Sequence, residues 1–121
     1  MKIEDIFLTV AKHLLTQNAK AYSVEQEMFM YRGPGNTKCA VGCLIPDDKY
    51  QEELEDVSVH EQTVLSTLGY LDIDQDKYGL LQSLQTIHDY DEVDEWEKEL
   101  YYLGEDYGFS EETLDKLKTF R

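Results

Sequence analysis

Apolar residues at Ile3, Ile6, Phe7, Val10, Ala11, Leu14 and Leu15 recur in steps of three and four, so the chain opens with one apolar stripe on a helix over about residues 3 to 17. Asn18 is its expected stop, and His13 lies at the border of the stripe. From Glu27 the pattern changes. Met28-Phe29-Met30-Tyr31 is a short apolar run leading into Gly33-Pro34-Gly35-Asn36, and Lys38-Cys39-Ala40-Val41-Gly42-Cys43-Leu44-Ile45 follows before Pro46. Glycine and asparagine tolerate positive φ and proline fixes its own, so the tetrad is turn chemistry. It predicts a β-hairpin of about 28–32 with 37–41, with Gly33 or Gly35 at positive φ. The alternative is that CAVGCLI begins a buried helix.

Helical spacing returns after residue 57. Ser58 and Glu61 read as a capping box, with Val59, Val64, Leu65 and Leu68 facing inward and Gly69 as the stop. Asp76 is the expected cap of a further helix carrying Tyr78, Leu81, Leu84, Gln85 and His88. Val93, Trp96, Leu100 and Leu103 stripe another to about Tyr107, ending at Gly108. Ser110 caps a last short helix with Leu114, Leu117 and Phe120. The expected fold class is therefore mainly α (α+β): about five helices packed as a single domain over residues 1–121, with a small hairpin after the first. A chain of 121 residues with 41% hydrophobic and 12% aromatic content has the material for one core.

Charge changes the picture more than composition does. Residues 1–45 carry five basic and four acidic side chains, whereas residues 46–121 carry six basic and 22 acidic, which gives the net charge of −15. The densest acidic run is Glu92, Asp94, Glu95, Glu97 and Glu99. Such a surface repels bare nucleic acid and anionic membrane and attracts a basic protein groove. No uninterrupted apolar h-region follows Met1, and no run approaches a membrane span, so the default compartment is the cytosol.

Several chemistries have residues of the right type in this chain. Asp72-Ile73-Asp74-Gln75-Asp76 has the odd-position acids of a calcium loop, but the glycine and glutamate such a loop needs are Lys77 and Ser83 here. An acidic linker with an aspartate cap accounts for the run without a metal. Cys39 and Cys43, with His60 or with His88 and Asp89, supply the residue types of a cysteine-dependent hydrolase, yet no local signature surrounds either thiol. The cysteines are expected to be packed and structural, and CxxxC with one histidine is a weak zinc set. Tyr31, Arg32, Gly33 and Lys38 could hold an anionic nucleotide through two cations and the amides of a glycine turn. No cofactor is expected.

Three stretches, IFLTVAKHLLTQNAKA, YRGPGNTKCAVGCLIPDDKY and SLQTIHD followed by Trp96, span most of the chain. In them the sequence resembles a group of small proteins encoded by tailed bacteriophages. Members often have a further cysteine shortly before the Tyr-Arg-Gly, where this chain has Phe29 and Met30. No catalytic residues come with the resemblance. It implies a protein acting in the host cytoplasm by occupying a site on a host protein with a basic surface, inhibiting or redirecting it without turnover.

Overall fold

A computed structural model describes residues 1–55 and 61–121. Helix α1, Ile3–Gln17, follows the apolar stripe: Ile6, Phe7, Val10, Ala11, Leu14 and Leu15 are all buried. Asn18 ends it in the left-handed conformation at φ 53°, with its N–H donating to the Leu14 carbonyl.

The next segment differs from the single hairpin expected over 28–32 and 37–41. Strand β1, Tyr22–Ser23, pairs antiparallel with β2, Met28–Phe29, and β3, Arg32–Gly33, pairs antiparallel with β4, Thr37–Lys38. Two short hairpins thus stand where one longer hairpin was expected. The reason lies between β2 and β3. Met30 N–H still donates to the Ala21 carbonyl, but the Tyr31 and Arg32 amides donate to the two carboxylate oxygens of Glu55, which redirects the chain. The proline-glycine turn is placed as expected, with Gly35 at φ 69° and Asn36 at φ 62°. Gly33 is extended, and its need for glycine is spatial: an added Cβ would lie 2.8 Å from Thr37 Oγ1.

Beyond β4 the chain makes one helical turn in place of a strand reaching residue 41. Cys43 N–H donates to the Cys39 carbonyl and a 3-10 turn covers Gly42–Leu44, so the buried-helix alternative is the nearer description. Pro46 ends it.

Helix α2, Gln62–Thr67, begins after Glu61; the Ser58 cap, Val59 and His60 lie outside the described residues. Gly69 does not stop the helix in a left-handed conformation. It starts a 3-10 turn, Gly69–Leu71, which brings both Leu68 and Leu71 into the core, and the chain reverses at Asp72 with φ 54°. Helix α3, Gln75–Tyr90, is capped by Asp74 and not by Asp76: the bond from a cap runs to the amide three residues on, and Asp74 accepts it from Lys77 N–H at 2.8 Å. Helix α4, Trp96–Asp106, ends before Gly108 at φ 75°, and Ser110 caps α5, Glu111–Asp115.

The described residues thus form a mainly α fold of five helices with a small antiparallel part after the first. One hydrophobic cluster joins them, with fully buried Trp96 and Phe7 as its largest side chains. Gly104 lets α4 approach the rest, since a Cβ there would lie 2.3 Å from Leu114 Cδ2 and 3.2 Å from Phe7 Cζ. Among the described residues no helix is long and apolar enough to cross a membrane.

Candidate functional site

Arg32 is held by three contacts. Its guanidinium lies 4.4 Å from the centre of the Tyr50 ring, and NH2 donates to the Ile45 carbonyl at 3.0 Å and pairs with Asp47 Oδ1 at 2.7 Å. Lys38 Nζ approaches the same oxygen at 3.9 Å. Tyr50 in turn donates its hydroxyl to Glu55 Oε2 at 2.6 Å, the oxygen that also receives the Arg32 amide. Arg32 Nε is buried without a hydrogen-bond partner among the described residues. Arg32 and Lys38 thus both approach the carboxylate of the chain's own Asp47. Tyr31 and Gly33, the other two members of the expected anion site, serve structure: Tyr31 is buried, with its hydroxyl pushed up in pKa chiefly by that burial, and Gly33 pairs with Thr37.

The backbone of Lys38 is held by side chains of α1. Gln17 presents its amide to Lys38 as a strand would, accepting from Lys38 N–H at 2.8 Å and donating to its carbonyl at 2.9 Å. His13 Nε2 donates to the same carbonyl at 2.8 Å. His13 and Gln17 sit one turn apart on α1, so the first helix stitches the second hairpin in place. The spacing is visible in the sequence, but nothing there names the partner.

Among the described residues, which leave out His60, the thiols and imidazoles do not assemble as a nucleophile and base. Cys39 and Cys43 are both free, and burial pushes each thiol up to about 12. Cys39 Sγ accepts from Gly42 N–H at 3.3 Å, and Cys43 donates to the Ala40 carbonyl. His88 is fully buried between Phe29 and Trp96, with Nδ1 donating to Asp89 Oδ1 at 2.7 Å. That bond leaves Nε2 as an acceptor, and it is already taken by Ala21 N–H at 3.0 Å. Asp89 also accepts from Gln85, whose own oxygen receives Val41 N–H. The His88-Asp89 pair thus anchors both the first hairpin and the CAVGC turn onto α3. Among the described residues no three His, Cys, Asp or Glu side chains converge as a metal set.

The five carboxylates that are neighbours in sequence are divided among different surfaces. Glu92 and Asp94 border an open groove between the end of α1 and Phe120, where Arg121 also lies and donates to the Val93 carbonyl. Asp94 and Glu97 border a second groove beside α5, shared with Lys98, Lys118 and Arg121. Glu95 pairs with Lys98 at 2.5 Å. Glu99 alone faces α3, in a groove of about 600 Å³ that also takes in Asp91 and Asp106. A helix turns 100° per residue, so Glu97 and Glu99 point about 200° apart. Glu99, Tyr102, Leu103 and Asp106 follow the three-, four- and seven-residue spacing of one face, a signal that counting acids along the chain overlooks. Comparison with family models, with curated proteins and with solved structures finds no match for this chain.

Proposed function

We propose that the chain is a small acidic accessory protein of the bacteriophage type, acting in the host cytoplasm by binding, without turnover, a basic surface of a host protein and so inhibiting or redirecting it. The observation that carries this reading is how little of the acidic surface is neutralised from within. Of the acids from Glu92 to Asp106, only Glu95 is ion-paired to a basic side chain among the described residues. Uncompensated charge on a rigid helical scaffold raises the encounter rate with an oppositely charged partner, and carboxylates spaced on a helix can compete for a groove built to track phosphates.

The test is capture of partners from bacterial lysate by wild-type protein and by a Glu92→Lys, Glu95→Lys, Glu99→Lys variant. A specific partner should be retained at about 0.1 M salt and released near 1 M, where the Debye length falls from about 10 Å to about 3 Å. The reversed protein should associate with that partner more slowly. Retention of the same partner at the same rate by both proteins would remove the acidic surface from the interaction.

One observation favours a second reading, sequestration of an anionic nucleotide: Arg32 and Lys38 converge on a carboxylate whose side chain is 84% exposed. A phosphate would have to displace Asp47. Nucleotide released from purified wild-type protein and missing from Arg32→Ala would establish it.

A further inference from the structure

The grooves that hold these carboxylates differ in one respect that bears on the partner. Those holding Glu92, Asp94 and Glu97 include basic side chains, Arg121 in one and Lys98, Lys118 and Arg121 in the other. The α3–α4 groove holds Asp91, Glu99 and Asp106 and, among the described residues, no basic side chain. Its walls add two aromatic rings: Tyr102, which is 52% exposed, and Tyr107, whose hydroxyl lies beside Gly79 where α3 presents bare backbone. Leu103 and Ile87 supply an apolar floor.

We infer that the α3–α4 groove is the docking site for a basic segment of a protein partner, with arginine side chains lying against Tyr102 and Tyr107 and ending on Asp91, Glu99 and Asp106. The inference rests on the acidic-binding reading and locates it. Charge complementarity selects the occupant. A guanidinium suits the groove better than an ammonium because its planar face stacks on tyrosine while its edge donates to carboxylates. An apolar floor accommodates the aliphatic stem of the same side chain. Spacing narrows the class further. Glu99 and Asp106 are two turns apart on one face, roughly 10 Å at 1.5 Å per residue. Arginines three positions apart in a polyproline II segment present their side chains on one edge at roughly 9 Å.

The probe is a peptide, Gly-Arg-Pro-Pro-Arg-Gly, capped at both ends and titrated into 15N-labelled full-length protein at low salt. Amide shifts should concentrate on the facing parts of α3 and α4. Asp91→Asn, Glu99→Gln, Asp106→Asn combined should weaken binding at least about tenfold, and the charge-matched Glu92→Gln, Asp94→Asn, Glu97→Gln set should stay within about twofold. Tyr102→Ala should weaken binding with no change in charge. Equal weakening by both triple sets, with shifts scattered over the surface, would overturn the groove and leave the general acidic reading standing. Absence of peptide shifts in the wild type would also overturn the groove, with the lysate capture still deciding the broader reading. Spermine producing the same shifts more tightly than the peptide would overturn the assignment to a protein segment. The 15N spectrum of each variant reports its fold, and the wild-type shift map decides the location without any variant.

Discussion

A methyl group added at Gly42 would fall 1.9 Å from the Tyr31 carbonyl oxygen, and both partners are backbone, so neither can move without dragging the CAVGC turn or β3. Gly42→Ala should therefore destabilise the fold at the upper end of the about 1–3 kcal/mol usual for overpacking. Gly35→Ala, in open space at φ 69°, should cost only the left-handed penalty of about 1–2 kcal/mol. Urea denaturation of the two variants reads the order, and a smaller loss at Gly42 would show that the turn yields. Cys39→Ser places a hydroxyl in packed surroundings and should cost about 1–3 kcal/mol. Because both thiols are held far above neutral pH by burial, iodoacetamide should label neither rapidly at pH 7 until the chain is unfolded. At this scale the sequence was legible at several positions where the residue type favours one conformation, though not at Gly69. Asn18, Gly35 and Gly108 are left-handed and Ser110 is a cap, as their types suggest. Gly33 and Gly42 show the limit, because a close approach depends on a strand from elsewhere. Asp74 and Asp76 show another: either can cap, and only the first turn's register chooses.

Helices α1, α3 and α4 were readable from periodicity because each buries a stripe in one core, and a stripe is a local property. The hairpins were not, since two-residue strands carry no pattern and their course depends on Glu55, Gln17 and His13, which lie 21 or more positions from the amides and carbonyls they hold. The link between α1 and β4 has a pH signature. Burial holds the His13 imidazole below its ordinary value of 6.5, against a smaller upward pull from the Lys38 carbonyl. The unfolded chain then binds more protons than the folded one as pH drops below 6.5, so the stabilising contribution is intact above that value and is lost as the pH falls through the folded value. The wild type should lose stability relative to His13→Gln between about pH 7.5 and about pH 5.5. The difference between the two urea midpoints isolates the imidazole from the carboxylates, which both proteins share. A difference that does not change with pH would place the His13 titration outside folding.

Across the whole molecule, the charge asymmetry was visible in the sequence, but its division among surfaces was not. Glu97 and Glu99 separate only when wrapped on α4, and Asp91 joins Glu99 only when α3 packs beside it. A net charge of −15 with few ion pairs among the described residues sets the molecule against itself. Raising salt from about 0.1 M to about 0.5 M should relieve repulsion and raise the melting temperature by roughly 4 °C, corresponding to about 1 kcal/mol. A fall in a calorimetric scan would mean that ion pairs such as Arg32–Asp47 outweigh the repulsion. The contact between the first helix and the last bears on how the chain is made. Phe7 packs on Phe109 at 5.1 Å, and Thr113 donates its hydroxyl to Glu4. Synthesis delivers residues in order at about 5–20 per second, so α1 leaves the ribosome seconds before the residues that cover Phe7 exist. During that interval its apolar stripe is open to chaperones and to other nascent chains, and the cover over Phe7 is complete only once Phe109 has been made.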